Sequence, residues 1–167
     1  NELYRRMSTL QSQRPGQSGP RQAAIAKDSM TGLVLAGGQA RRMQIPGQDS
    51  VDKGLLQRQG VPLIALAQRY LEPKVGRLCI SANRNLDSYG QYGQVISDDP
   101  VFGESSGPLA GVASVLAQTA TPWLMIIPVD LPDLPEELVQ RLAEAVSAGQ
   151  AQIAYAATNV LSPALCM

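Results

Sequence analysis

The amino-acid sequence predicts an α/β fold, doubly wound, in which a mostly parallel sheet carries helices on both faces in three layers. Two observations carry this. From Gly32 onward, short apolar runs alternate with longer stretches of helical apolar spacing. The runs at 32–36 (GLVLA) and 123–127 (WLMII) are continuously apolar rather than alternating, as strands buried on both faces must be.

In chain order, GLVLA at 32–36 is bounded by glycines and reads as a central strand. Residues 62–70 (PLIALAQRY) have helical spacing, with Pro62 acceptable in a first turn. Residues 77–82 (RLCISA) and 94–96 (QVI) read as further strands, and 109–118 (LAGVASVLAQ) as a helix opening after Gly107 and Pro108. WLMII at 123–127 is the strongest buried strand. An amphipathic helix is expected over 135–147, with Glu136 and Glu137 near its positive N-terminal dipole end and Asp133 as its cap. Residues 152–156 and 164–167 are read as the last strands. Residues 1–29 are read as a polar tail, because 8–22 are dominated by Ser, Gln, Arg, Pro and Gly and cannot bury enough apolar surface to offset their ordering entropy. The domain is expected over 30–167, with Met30 directly before the first strand.

Composition excludes several function classes. At 167 residues and 44% hydrophobic content the chain suits one core. Its longest apolar stretches fall well short of the roughly 20 residues that span a bilayer, and the start lacks the apolar segment of a secretory signal, so no membrane role and a cytoplasmic location are expected. Cys79 and Cys166 show no metal-ligand or disulfide spacing, and Cys79 lies inside an apolar run where core is expected. Formal charge is zero, with a basic start and a mildly acidic body, which speaks against nucleic acid as a partner. Histidine is absent, so any acid or base work falls to Asp, Glu or Lys.

In open sheets, ligands sit beyond the carboxyl ends of the strands, which directs attention to the residues just after Ala36, Ala82, Ile96 and Ile127. Leu35-Ala36-Gly37-Gly38 leads into Gln39-Ala40-Arg41-Arg42-Met43: the two glycines let backbone N–H groups approach a phosphate, and the arginines neutralise it. It is neither the dinucleotide fingerprint nor a Walker A loop, and taken alone it also reads as a simple turn. Lys53 suits a point charge on a phosphate, or a solvated surface lysine. Asp130 closes the WLMII strand between Pro128 and Pro132 and offers the hard oxygen ligand that a cation such as Mg2+ needs. Asn83 can hydrogen-bond a base or ribose, with Ser81 on the same side by strand alternation. Asp98-Asp99-Pro100 reads as a turn. Gly107 and Gly111 permit close approach of either a ligand or the sheet.

The stretch 35–43 followed by Asp52-Lys53-Gly54 resembles the signature of molybdenum cofactor guanylyltransferases. Further shared features are Ala82-Asn83-Arg84, Asp98 after a strand, Gly107-Pro108-Leu109-Ala110-Gly111 and Pro128-Val129-Asp130-Leu131-Pro132. The likeness runs from about Thr31 to Val146 and stops short of that family's C-terminal strands and helix. Gln44 stands where the family usually has glycine, Ser81 where it has asparagine, Val129 and Leu131 where it has cysteine and threonine, and Ser162-Pro163 where it tends to His-Pro.

The resemblance implies a Rossmann-like nucleotidyltransferase fold and transfer of GMP from GTP to the terminal phosphate of the molybdenum pterin cofactor. It implies Arg42, Lys53 and Asp130 as catalytic residues, Asp130 as the Mg2+ ligand, and a nucleotide site of Leu35, Ala36, Gly37, Gly38, Lys53, Ser81, Asn83, Asp98, Gly107 and Asp130. Enzymes that receive the finished cofactor, or their chaperones, are the protein partners it suggests. The residues themselves leave open another nucleotide or a sugar-phosphate acceptor on the same fold, or a non-catalytic nucleotide-binding module.

Overall fold

A computed structural model describes residues 24–37, 52–102, 107–131 and 133–156. Its core is a four-stranded parallel sheet of β1 (Met30–Leu35), β4 (Arg77–Ser81), β5 (Gln94–Ile96) and β6 (Trp123–Pro128), in the order β5-β4-β1-β6. Central β1 pairs with β4 from Thr31↔Arg77 to Leu35↔Ser81, and with β6 from Met30↔Trp123 to Leu35↔Pro128. A two-stranded antiparallel hairpin, β2 (Gln57–Arg58) and β3 (Val61–Pro62), leads into helix α1 (Leu63–Leu71). Short helix α2 (Leu86–Gly90) joins β4 to β5, α3 (Pro108–Gln118) precedes β6, and α4 (Leu138–Gly149) follows it.

Both faces of the sheet are covered, as the continuously apolar strands require. On one face, Ile64, Ala67 and Leu71 of α1, Tyr89 of α2 and Val139 of α4 pack with Val34, Ile80 and Ile127. On the other, Val115 of α3 packs with Leu33, Cys79 and Ile96. The faces follow from the direction of travel. The chain moves outward from β1 to β4 and β5, then returns past them to β6, and right-handed crossovers in opposite directions put their helices on opposite faces. The strand order therefore reverses between β1 and β6, where an open parallel sheet forms its crevice.

Cys79 is buried and free, and burial raises its thiol pKa. Among the described residues no helix is long and apolar enough to cross a membrane.

Four local expectations are corrected. Pro62 closes the small hairpin and sits one residue ahead of α1 rather than in its first turn. Helix α4 begins at Leu138 rather than Pro135, with Glu136 and Glu137 directly ahead of it at its N-terminal end. Asp133 does not cap it: its carboxylate takes Arg58 at 2.7 Å, while Tyr70 Oη donates to Pro135 O at 2.7 Å and Lys74 pairs with Glu136 at 2.8 Å. These bonds tie the segment to β2, to α1 and to the turn that follows α1. Residues 152–156 form no strand. Their alternation suits one, but a strand needs a hydrogen-bonding neighbour; Ile153 and Tyr155 instead stand 81% and 78% exposed. Residues 164–167 lie outside the described residues.

Candidate functional site

The carboxyl ends of β1 and β6 meet at the point of strand reversal. Val129 N donates to Leu35 O at 3.1 Å and Ala36 N to Ser81 O at 3.0 Å, so the strand ends continue the sheet past its last formal pair. The next residues, Gly37 and Asp130, thereby project from adjacent positions at the sheet edge. Lys53 enters from a 3-10 turn (Lys53–Leu55) and its Nζ lies 3.2 Å from Asp130 Oδ2. The two side chains are 37% and 47% exposed, so this ion pair faces solvent.

Gly37 is neither in the left-handed region nor crowded: a Cβ placed there would meet nothing closer than 3.7 Å. Among the described residues neither backbone strain nor packing calls for glycine at this position.

At the ends of β4 and β5 the polar groups satisfy one another. Asn83 Nδ2 donates to Asp98 Oδ2 at 2.8 Å and Asp98 N donates to Asn83 Oδ1 at 2.8 Å, a reciprocal pair. Ser114 Oγ accepts from Asp99 N at 2.8 Å, and Ser97 Oγ donates to Ala82 O at 3.1 Å. Ser81 is buried beneath α3. A Cβ on Gly111 would strike Ser81 Oγ and lie 3.1 Å from Ser81 Cβ and 3.3 Å from Asp98 Oδ1. Gly111 is thus a packing glycine that brings α3 onto the strand end. Gly107, exposed at the start of α3 with φ +78°, meets nothing, and its glycine character belongs to the backbone.

Of the residues singled out from sequence, Lys53 and Asp130 meet at the β1/β6 end beside Leu35, while Ala36 and Gly37 continue β1 against Ser81 and Ala82 at the end of β4. Ser81, Asn83 and Asp98 gather at the β4/β5 end, with Gly107 one turn before Gly111 at the start of α3. Gly38, Arg42, Gln44 and Ser162-Pro163 lie outside the described residues. Sequence reading passed over Ser114, Asn85 and Tyr89. Ser114 was detectable as a hydroxyl on the same helical face as Gly111 and Val115. Tyr89 belongs to a helix of five residues and Asn85 directly precedes it, an element too short for periodicity to register. Among the described residues no three His, Cys, Asp or Glu side chains converge as a metal cage. The exposed Asp130 carboxylate suits a cation that arrives already carrying phosphate and water ligands, as Mg2+ does.

The family model for the MobA-like NTP transferase domain matches residues 32–166. The chain belongs to this family. It is 44% identical over 134 residues to a molybdenum cofactor guanylyltransferase of Cupriavidus taiwanensis, covering 80% of this chain and 64% of that protein. Likeness to the molybdenum cofactor guanylyltransferase of Bordetella pertussis is 44% over 135 residues, covering 81% and 66%. The chain spans slightly less than two thirds of the length of these curated relatives. Among solved structures it resembles a nucleotidyl transferase from Methanothermobacter thermautotroptrophicus at 24% identity and a TM-score of 0.52, over 69% of this chain and 56% of that one. That likeness establishes the fold alone. Both the resemblance and the doubly wound α/β expectation hold.

Proposed function

We propose that this MobA-like domain transfers GMP from GTP to the terminal phosphate of the molybdenum pterin cofactor, releasing pyrophosphate. The observation that supports the reading is the Lys53–Asp130 contact at the strand-reversal point, where β1 and β6 pair up to Leu35 and Pro128, in a chain 44% identical to proteins named for this activity.

In this reaction an oxygen of the cofactor phosphate attacks the α-phosphorus of GTP in line, and the bond to the β-phosphate oxygen breaks. The protein supplies no nucleophile. It positions the two phosphates and neutralises their charge, so the lack of histidine is no obstacle. A glycine at position 37 lets a phosphate come close to the backbone, and by the resemblance Gly38 and Arg42 extend that cradle. Lys53 serves as a point charge on triphosphate oxygens. Asp130 is the residue to hold Mg2+, which when bound supplies Lewis-acid neutralisation of phosphate charge. The Lys53–Asp130 pair suits these exchanges, because an exposed ion pair contributes only about 0–1 kcal/mol and is given up at little cost. Asn83, Asp98, Ser81 and Gly107 form the nucleoside side. We further propose a cytoplasmic location and contact with enzymes that receive the cofactor.

Incubation with GTP, magnesium and the pterin cofactor, followed by mass spectrometry, is expected to yield the guanine dinucleotide and pyrophosphate. GTP should protect against thermal unfolding better than ATP, CTP or UTP. Equal protection by all four, or pyrophosphate release with another nucleotide as readily as with GTP, would overturn the guanylyl assignment.

A further inference from the structure

We propose that Tyr89 and Asn85 are positioning residues for Lys53, acting through the buried carboxylate of Asp52. The proposal rests on the reading of Lys53 as a phosphate-binding residue.

Asp52 directly precedes Lys53 and is buried. A carboxylate out of water must be hydrogen-bonded to be tolerated, and three donors converge on it. Tyr89 Oη donates to Oδ1, Asn85 Nδ2 to Oδ2 at 3.1 Å, and Gly54 N to Oδ1 at 3.4 Å. Two of the donors come from the α2 region, more than thirty positions away in sequence. Tyr89 itself is fully buried in the main core cluster, so the bond ties the lysine turn to the most rigid part of the domain. Burial, then the bond to Asp52, raise the Tyr89 pKa, which keeps the phenol a donor at any working pH. Asn85 holds a left-handed φ of 52° at the start of α2, a conformation that asparagine tolerates better than most residues.

The fit is close on both sides. A Cβ on Gly54 would fall 2.5 Å from Tyr89 Oη and 2.9 Å from Cε1, so glycine is what lets the turn seat on the ring. Within the turn, Leu55 N and Leu56 N bond back to Asp52 O and Lys53 O, each at 3.1 Å. Lys53 is therefore the exposed member of a turn whose neighbours on either side, Asp52 and Gly54, are both buried and fixed by α2. A long lysine side chain loses much rotational freedom on binding, and an immobile Cα limits that loss to the side chain.

A double-mutant cycle on the GTP dissociation constant tests this, since binding stays measurable where turnover does not. Tyr89→Phe removes only the hydroxyl, and Asn85→Gly keeps the left-handed backbone while removing the amide. Each is expected to weaken GTP binding roughly tenfold beside Lys53 and by less than about twofold in the Lys53→Ala background. Equal losses in both backgrounds, or no loss beside Lys53, would overturn the positioning role while leaving Lys53 itself in place. Normal GTP binding by Lys53→Ala would overturn the phosphate role of Lys53 and this proposal with it. If Tyr89→Phe fails to fold, as circular dichroism would reveal, Asn85→Gly carries the cycle alone.

Discussion

The two ends of the sheet edge are built differently. At β4/β5 the polar side chains already bond one another: Asn83 and Asp98 form a closed pair, Ser114 holds Asp99 N, and Gly111 is explained by contact with Ser81. At β1/β6, Lys53 and Asp130 share one solvent-exposed contact of 3.2 Å, and no packing among the described residues accounts for Gly37. Among the described residues the first end is held together by its own hydrogen bonds, and on the proposed reading it offers a fixed shape to the nucleoside. The second has a charge of each sign in a solvent-facing pair, which on the proposed reading exchanges its partners for phosphate and cation. Preorganisation where a shape is recognised, and exchangeable charges where a polyanion reacts, is a division suited to phosphoryl transfer.

The largest effect should follow removal of the charge at the open end. Asp130→Asn keeps shape but loses the anionic oxygen a hard cation requires. Turnover is expected to fall by a factor on the order of 100 or more, and the thermal midpoint to change little, because an exposed side chain with one exposed partner contributes within about 0.5 kcal/mol. Residual GTP binding should lose its magnesium dependence. Full activity with unchanged magnesium dependence would make the contrast between the two ends meaningless, since Asp130 would then belong to neither chemistry.

At the closed end the expected effect is on stability. Replacing glycine by alanine inside an exposed helix normally stabilises by up to about 1 kcal/mol. Gly111→Ala should do the reverse, by roughly 1–3 kcal/mol, because the new methyl meets Ser81 and Asp98 and α3 has to shift outward. Ser81→Ala in the same chain removes the nearest clashing atom and should restore part of the loss. A stabilised Gly111→Ala protein in urea titration would show that the β4/β5 end is looser than the contact distances imply.

Much of this was legible in the sequence wherever the signal was local. Glycine and proline punctuation around continuous apolar runs placed β1, β4, β5, α3 and β6 within a residue or two, and the strand-end rule then picked out Gly37, Ser81–Asn83, Asp98 and Asp130. Signals spread over too few residues or too great a separation were lost. The β2/β3 hairpin has two residues per strand, and its positive φ angles at Gln59 (51°) and Gly60 (79°) belong to a turn that no periodicity announces. Lys53 and Asp130 were each singled out, but their contact joins positions 77 apart and depends on the sheet order. Asp133 was misread for the same reason: its nearness to a proline-led apolar run favours a cap, whereas Arg58, brought close only by folding, decides where it goes.

The smallest effect concerns pH and distinguishes the packed face of the sheet from both ends of its edge. Burial raises the thiol pKa of Cys79, and burial together with Glu136 and Glu137 raises that of Tyr70. Each group is neutral when protonated and is held so more firmly in the folded chain. The unfolded chain therefore loses these protons first as pH rises, through roughly pH 8.5–10. The stability that comes from keeping the groups protonated is fully present below that range and is lost as pH climbs toward the raised folded values. Urea midpoints should accordingly hold steady from neutrality to about pH 8.5 and decline above it. Tyr70→Phe should make the decline shallower, at the cost of the 2.7 Å bond to Pro135 O that helps seat the segment before α4. Half-exposed Tyr70 is well screened by water, so its share is small beside that of buried Cys79. A midpoint that rises between about pH 8.5 and 10.5 would mean that these groups ionise more easily in the folded chain, and would place their environment nearer to the solvent-facing β1/β6 end than to the core.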